Sequence, residues 1–260
     1  MKLQYIQPLS SALIEFKTAG GTSAVLEKSV ILTSIHQTHE VLDKIKGFGI
    51  DIFGALGMRN LSSFIGEIFI LEMVKNASGF LIKNPHQDGY PDLLVMDVQG
   101  KKFWEDLKLR LRDKKPFSPF ANGGIEVKAT CGGLPKPASF VKKGLIKPDI
   151  GDQRIDSITG YDWKAHHRDT NNLIGLLWDF IGGIPRVVGI FFSSELTSND
   201  WGKIVQPKEG GGRTTSVSIM PRSSVKKMYE GVVYVLDDEK YITFLNKYNK
   251  GSLIQQTLAR

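Results

Sequence analysis

The run Gly89-Tyr90-Pro91-Asp92-Leu93-Leu94-Val95-Met96-Asp97 decides how this chain is read. A turn rich in Gly, Tyr and Pro gives way to four apolar residues, the pattern of a short buried strand with an aspartate at its mouth. A second run, Gly124-Ile125-Glu126-Val127-Lys128-Ala129-Thr130, alternates Ile125 and Val127 with Glu126 and Lys128. In a strand the two charged side chains therefore share one face. Side by side, the two strands bring the Asp92 and Glu126 carboxylates together. Such a pair suits a hard divalent cation such as Mg2+, which takes one or two carboxylates and fills its other positions with water and phosphate oxygens. Lys128, on the same face, would hold a water molecule or a phosphate beside it. Asp97 lies at an odd offset from Asp92 and falls on the opposite face. Asp88 is a weaker alternative ligand.

Outward from these strands, the expected class is α/β. Residues 9–46 read mainly as helix in two pieces, split at Gly20-Gly21, with Thr22 or Ser23 capping the second and Gly47 and Gly49 ending it. A stronger helix is expected over 61–76, capped by Asn60 or Ser62 and stopped by Gly79, and Phe80-Leu81-Ile82 reads as a strand. Residues 163–181 place Leu173, Leu176, Leu177 and Phe180 at helical spacing, with Asp162 as cap and Gly182-Gly183 as stop. The continuous apolar run over 186–192 predicts a buried strand. Further strands are expected at 215–220 and 231–236, and a last helix at 241–248. The elements divide into an N-terminal helical extension, residues 1–58, and a core, residues 59–260.

Pro91-Asp92 followed by Glu126-Val127-Lys128 resembles the PD-(D/E)XK nuclease superfamily, familiar from type II restriction endonucleases. The resemblance spans roughly residues 64–192. It implies a restriction-endonuclease-like core, a mixed central sheet flanked by helices, in which Asp92, Glu126 and the main-chain carbonyl of Val127 hold Mg2+ and Lys128 orients the attacking water. It implies hydrolysis of DNA phosphodiesters to 5′-phosphate and 3′-hydroxyl ends by a homodimer on short palindromes, with the helix over 22–46 as a dimer contact. The 34-residue interval between Asp92 and Glu126 requires an insertion between the two strands. Members of the superfamily often carry a metal-linked glutamate on the preceding helix. Glu67, an acid amid apolar neighbours in Ile65-Gly66-Glu67-Ile68, fits that place better than Glu72. Two other functions stay open: a junction-resolving or repair nuclease of the same superfamily, and a basic nucleic-acid-binding protein whose acids are only structural.

Charge points the same way. The chain carries a formal +7 and an isoelectric point near 9.3, which favours a polyanion as partner. Basic residues crowd 101–115, and Lys142 and Lys143 follow in a stretch containing Pro and Gly. The bland reading of those two segments is a solvated insertion, whereas Lys164, His167 and Arg168 suit phosphate contacts. In Glu209-Gly210-Gly211-Gly212-Arg213-Thr214-Thr215, three glycines allow close backbone approach and Arg213, Thr214 and Thr215 offer base contacts. The bland reading there is a hairpin loop. His166 and His167 are adjacent and would diverge on a helix, and His36 and His39 have no carboxylate or cysteine at metal-ligand spacing. Cys131, the single cysteine, rules out an internal disulfide and fits a cytoplasmic setting. No apolar run approaches the roughly 20 residues of a membrane span. Neither a phosphate-binding loop nor a Gly-x-Ser-x-Gly elbow is present.

Overall fold

The computed structural model describes residues 3–8, 11–131, 163–165, 168–207 and 216–249. Its first elements correct the helical reading of 9–46. After strand β1 (Tyr5–Ile6), strands β2 (Leu13–Lys17) and β3 (Ser23–Glu27) form an antiparallel hairpin. Ile14, Phe16, Ala24 and Leu26 are buried, while Glu15, Lys17, Ser23 and Glu27 face out. That period of two is a strand pattern. The Gly20-Gly21 pair does not separate helices but makes the hairpin turn, with Gly21 at φ +77°.

Helix α1 (Lys28–Lys46) follows without a break, then a short α2 (Ile52–Ala55) and α3 (Met58–Asn76). Neither Asn60 nor Ser62 caps α3, because the helix starts earlier, with Gly57 as its N-cap. Ser62, one turn inside, accepts a hydrogen bond from Trp178 Nε1 at 3.0 Å instead. Strands β4 (Leu81–Lys83) and β5 (Leu93–Val95) come next, then α4 (Val98–Leu107) and β6 (Gly124–Thr130). Strand β7 (Lys164–Ala165) pairs with β10 (Ser218–Ile219) outside the main sheet, so of the strand expected at 215–220 these two residues form a strand, and residue 215 lies outside the described residues.

The helix expected over 163–181 is also corrected. Its residues 173–181 form β8 (Leu173–Ile181), joined to β9 (Ile184–Ser193) by a two-residue turn. Gly182 and Gly183 both have positive φ, the geometry that suits tight hairpins. Leu173 to Trp178 are buried because β8 is central and covered on both faces. A continuous apolar run of that kind satisfies helical spacing by accident, so periodicity does not separate strand from helix. Helix α5 (Arg222–Glu230), strand β11 (Val232–Leu236) and helix α6 (Glu239–Asn249) complete the described chain.

The main sheet is mixed, seven-stranded and ordered β1-β11-β9-β8-β6-β5-β4. Only β6 and β8 run parallel. Helices flank both faces. On one, α1 and α3 pack against Ile125, Val127, Ile174, Leu176, Trp178 and Ile190. On the other, α5 and α6 cover Leu177, Val188, Phe191 and Val235, while α4 and Phe117 cover Leu94 and Met96. The first 58 residues contribute both an edge strand and a face-covering helix to this core. Among the described residues no helix is long and apolar enough to cross a membrane.

A buried histidine ties α1 to the sheet. His39 Nε2 accepts the Val187 N–H at 2.9 Å, and Arg186 donates to the His39 carbonyl at 3.1 Å while pairing with Asp43. Tyr5 adds a hydrogen bond to the Val187 carbonyl and an edge contact with His36. Burial, the Arg186 charge and His36 outweigh Asp43 and push the His39 pKa down to about 3. The unfolded chain takes up a proton on this histidine near pH 6.5, whereas the folded protein refuses it. Folding stability should therefore decline as pH falls below about 6.5, by up to about 1.4 kcal/mol per pH unit from this group. Urea titrations from pH 7.5 to 5 should record that slope, and His39→Gln, which keeps an acceptor for Val187, should flatten it.

Candidate active site

The strand register brings the two acids together. Leu93 pairs with Ile125 and Leu94 with Gly124. One rung further, Asp92 stands opposite Glu126, and directly opposed residues of antiparallel strands project from the same face. The main-chain ladder stops at that rung and side chains take it over. The Asp92 N–H donates to Glu126 Oε2 at 3.3 Å, and the Val127 N–H donates to Asp92 Oδ2 at 2.9 Å. Within a strand the N–H and C=O of one residue point the same way. The Val127 carbonyl is therefore directed toward Asp92 as well, while the Glu126 N–H bonds Asn172 on the β8 side at 3.0 Å.

Lys128 completes the group. Its ammonium pairs with Glu126 and stands 3.6 Å from Asp92 Oδ2. The Asp92 and Lys128 side chains are about a quarter exposed, at 26% and 24%, and that of Glu126 only 7%, so the cluster opens on Asp92 and Lys128. Burial and the neighbouring Glu126 raise the Asp92 pKa to about 6, against the pull of Lys128 and the Val127 N–H. Burial alone would lower the pKa of Lys128. The charges of Glu126 and Asp92 outweigh it and hold the amine well above the ordinary lysine range, so it remains a cation.

The face that bears these groups is bracketed by apolar packing. Ile125 and Val127 point into the α1–α3 layer. On the opposite face, Leu94, Met96, Phe117 and Phe120 fill one side, and Trp163, Leu173, Leu177 and Phe191 the other. Gly175, the partner of Lys128 on β8, has the Trp163 ring laid against it: a Cβ there would sit 2.4 Å from the ring.

Residues with no motif to announce them hold the cluster in place. Asn84, buried, donates through Nδ2 to the Pro91 and Phe117 carbonyls at 3.0 Å each, and its own N–H bonds the Asp92 carbonyl at 2.8 Å. Tyr90 is fastened by backbone bonds to Phe117 and Phe120, and its hydroxyl donates to the Asp169 carbonyl at 3.1 Å. Asn172 donates to the Gly124 carbonyl at 3.0 Å and to the Lys17 carbonyl at 3.2 Å, joining the hairpin to β6. A lone Asn before a proline or a strand gives no pattern in the sequence, so these supports are legible only in three dimensions.

The other expected residues lie as follows. Glu67 is half exposed and paired with Lys83 at 2.6 Å, one strand away from the acids, since Lys83 is the partner of Leu93. Asp97 caps α4 through the Gly100 N–H at 2.8 Å. Asp88 stands 3.9 Å from Lys114. Lys164 is exposed on β7. Arg168 spends its Nε and Nη2 on the Ser198 carbonyl, at 3.1 and 2.6 Å, one residue before the Tyr90 anchor at Asp169. His167, Lys142, Lys143, Arg213, Thr214 and Thr215 lie outside the described residues.

Among the described residues no three Asp, Glu, His or Cys side chains gather as a metal cluster. Two carboxylates and a carbonyl at one strand edge nonetheless fit Mg2+, which leaves its remaining positions to water and phosphate. Lys128 meanwhile offsets one of the two negative charges. Replacing it with Met should cost about 2–3 kcal/mol in urea unfolding at pH 7.5, because two carboxylates then face each other uncompensated. Protonation of Asp92 removes one of those charges, so the deficit relative to the natural protein should shrink at pH 5.

No protein-family model, no curated protein and no solved structure matches this chain.

Proposed function

We propose that the protein is a Mg2+-dependent endonuclease of the PD-(D/E)XK type, a sequence-specific type II restriction enzyme acting on double-stranded DNA. The observation that carries this reading is the convergence of Asp92, Glu126 and Lys128 on one face at the end of a strand pair. The seven-stranded mixed sheet with flanking helices is compatible with a restriction-endonuclease-like fold. A cation held by Asp92, Glu126 and the Val127 carbonyl would polarise a phosphoryl oxygen and lower the pKa of its bound water. Lys128, fixed as an ammonium, is a donor and not a general base. It orients the nucleophilic water and offsets the charge that develops on the phosphorane-like transition state. The hydrolysis leaves a 5′-phosphate and a 3′-hydroxyl.

Specificity falls to other segments in this reading. Arg213, Thr214 and Thr215 read base edges, and the basic residues Lys142, Lys143, Lys164, His167 and Arg168 hold phosphates. Two copies of the chain engage a palindrome, matching one twofold axis to another. The helix expected as their contact is not free for it in full. Residues 23–27 are strand, and α1 buries Ile31, Ile35, His39 and Leu42 within its own protomer.

Long duplex DNA incubated with Mg2+ should give discrete fragments, and EDTA should stop the reaction. Cutting confined to branched DNA would mark a junction-resolving or repair nuclease. Duplex binding without cutting in either Mg2+ or Mn2+ would leave a non-catalytic binding protein. Asp92→Asn and Lys128→Ala should each lower cleavage by at least about 100-fold with DNA affinity retained. Full activity in either variant refutes the site. The raised pKa of Asp92 sets the acid limb: the carboxylate needed for the cation is lost as pH falls through about 6. Cleavage at fixed Mg2+ should drop across pH 7 to 5, and added Mg2+ should shift that limb to lower pH.

A further inference from the structure

Between α4 and Phe117 the chain runs Lys108-Leu109-Arg110-Leu111-Arg112-Asp113-Lys114-Lys115, and all eight residues are exposed. Leu109 is 89% exposed, more than any other large apolar residue described, and Leu111 is 40% exposed. The segment is nevertheless a built structure. The Arg110 N–H bonds the Leu107 carbonyl at 2.7 Å, and the Asp113 N–H the Arg110 carbonyl at 3.0 Å. Arg110 pairs with Asp113 at 2.9 Å, and Lys108 with Glu105. Its base is rooted in the catalytic turn: Phe117 is fully buried beside Leu94 and Met96, the Tyr90 N–H bonds the Phe117 carbonyl, and Lys114 faces Asp88.

Two exposed leucines on a hydrogen-bonded turn among basic side chains are an unspent apolar surface. Their neighbours in the segment are cationic except for Asp113, which leaves little that an apolar protein surface would match. Polyanionic DNA offers both halves of the complement: phosphates for the basic residues and an apolar base stack for the leucines.

We propose that Leu109, with Leu111 behind it, is a wedge that enters the stack of duplex DNA while Arg112 and Lys115 grip the flanking phosphates. This rests on the reading that the Asp92 site acts on duplex DNA. The wedge would kink the duplex close to the scissile phosphate, and it would favour pyrimidine–purine steps, which unstack most easily.

Insertion unwinds DNA, so the test is topological. The full chain is bound to relaxed closed-circular plasmid in EDTA, topoisomerase I relaxes the remainder, and the linking number is read after deproteinisation. The natural protein should lower the linking number in proportion to the amount bound. Leu109→Ala/Leu111→Ala should bind to within about threefold of the natural affinity yet leave the linking number unchanged. Arg112→Gln/Lys115→Gln should keep the unwinding per bound molecule and flatten the salt dependence of binding by about two phosphate contacts. Three results overturn the wedge: a natural protein that does not bind the plasmid or does not unwind it, a leucine variant that still unwinds, or a leucine variant whose sedimentation shows a lost subunit contact. Cleavage in Mg2+ without unwinding removes the wedge alone, and unwinding without cleavage removes the nuclease reading alone.

Discussion

Two carboxylates and an ammonium at the end of one antiparallel strand pair impose the constraint on which the rest of this structure turns. Like charges facing each other across a rung are unfavourable, and partial burial sharpens the repulsion. The chain solves this locally. Each acid accepts a backbone N–H from the other strand, and Lys128 lies against both. The arrangement works only where the β5–β6 ladder has ended, because a continuing ladder would claim the Val127 N–H and carbonyl. A strand of only three residues, β5, is thus integral to the site's design.

The surrounding architecture keeps that rung rigid and partly open. The acids and the lysine sit on the sheet face where apolar cover is divided between two separate clusters. The opposite face, under α1 and α3, is packed without such a gap. Asn84 and Asn172 are buried amides on either side of the rung, and each bridges segments far apart in sequence. The hydrogen bonds that these two amides donate tie the rung to its neighbouring segments in one geometry.

Much of this is legible in the residues themselves. The alternation of Ile125 and Val127 with Glu126 and Lys128 marks a strand with both charges on one face, and the register sets Asp92 opposite Glu126. Asp97 stays out of the site for a reason that strand offset does not give: it lies past the end of β5 and caps α4. The failures have physical causes. Residues 13–27 mix Glu and Lys with apolar residues at a period of two, and a Gly-Gly pair that resembles a helix break is a hairpin turn. Residues 173–181 are apolar on both faces, so spacing carries no information there and a two-faced central strand resembles a buried helix. The sequence around Glu67 calls for a partner. It has one in Lys83, at a half-exposed position that hydrophobic neighbours in sequence do not foretell. Asn84 and Asn172 act through tertiary hydrogen bonds, which leave no local trace.

The ends of the sheet carry a last consequence. One outer strand, β1, has two residues, and the other, β4, has three and bears Lys83. Edges this short, one of them guarded by a charge, give a second sheet almost nothing to extend. Among the described residues the main sheet thus presents little edge for strand addition, and two copies would more readily meet through helices or connecting segments. Those are surfaces that can shift against each other while each protomer's sheet, and the rung of acids within it, stays fixed.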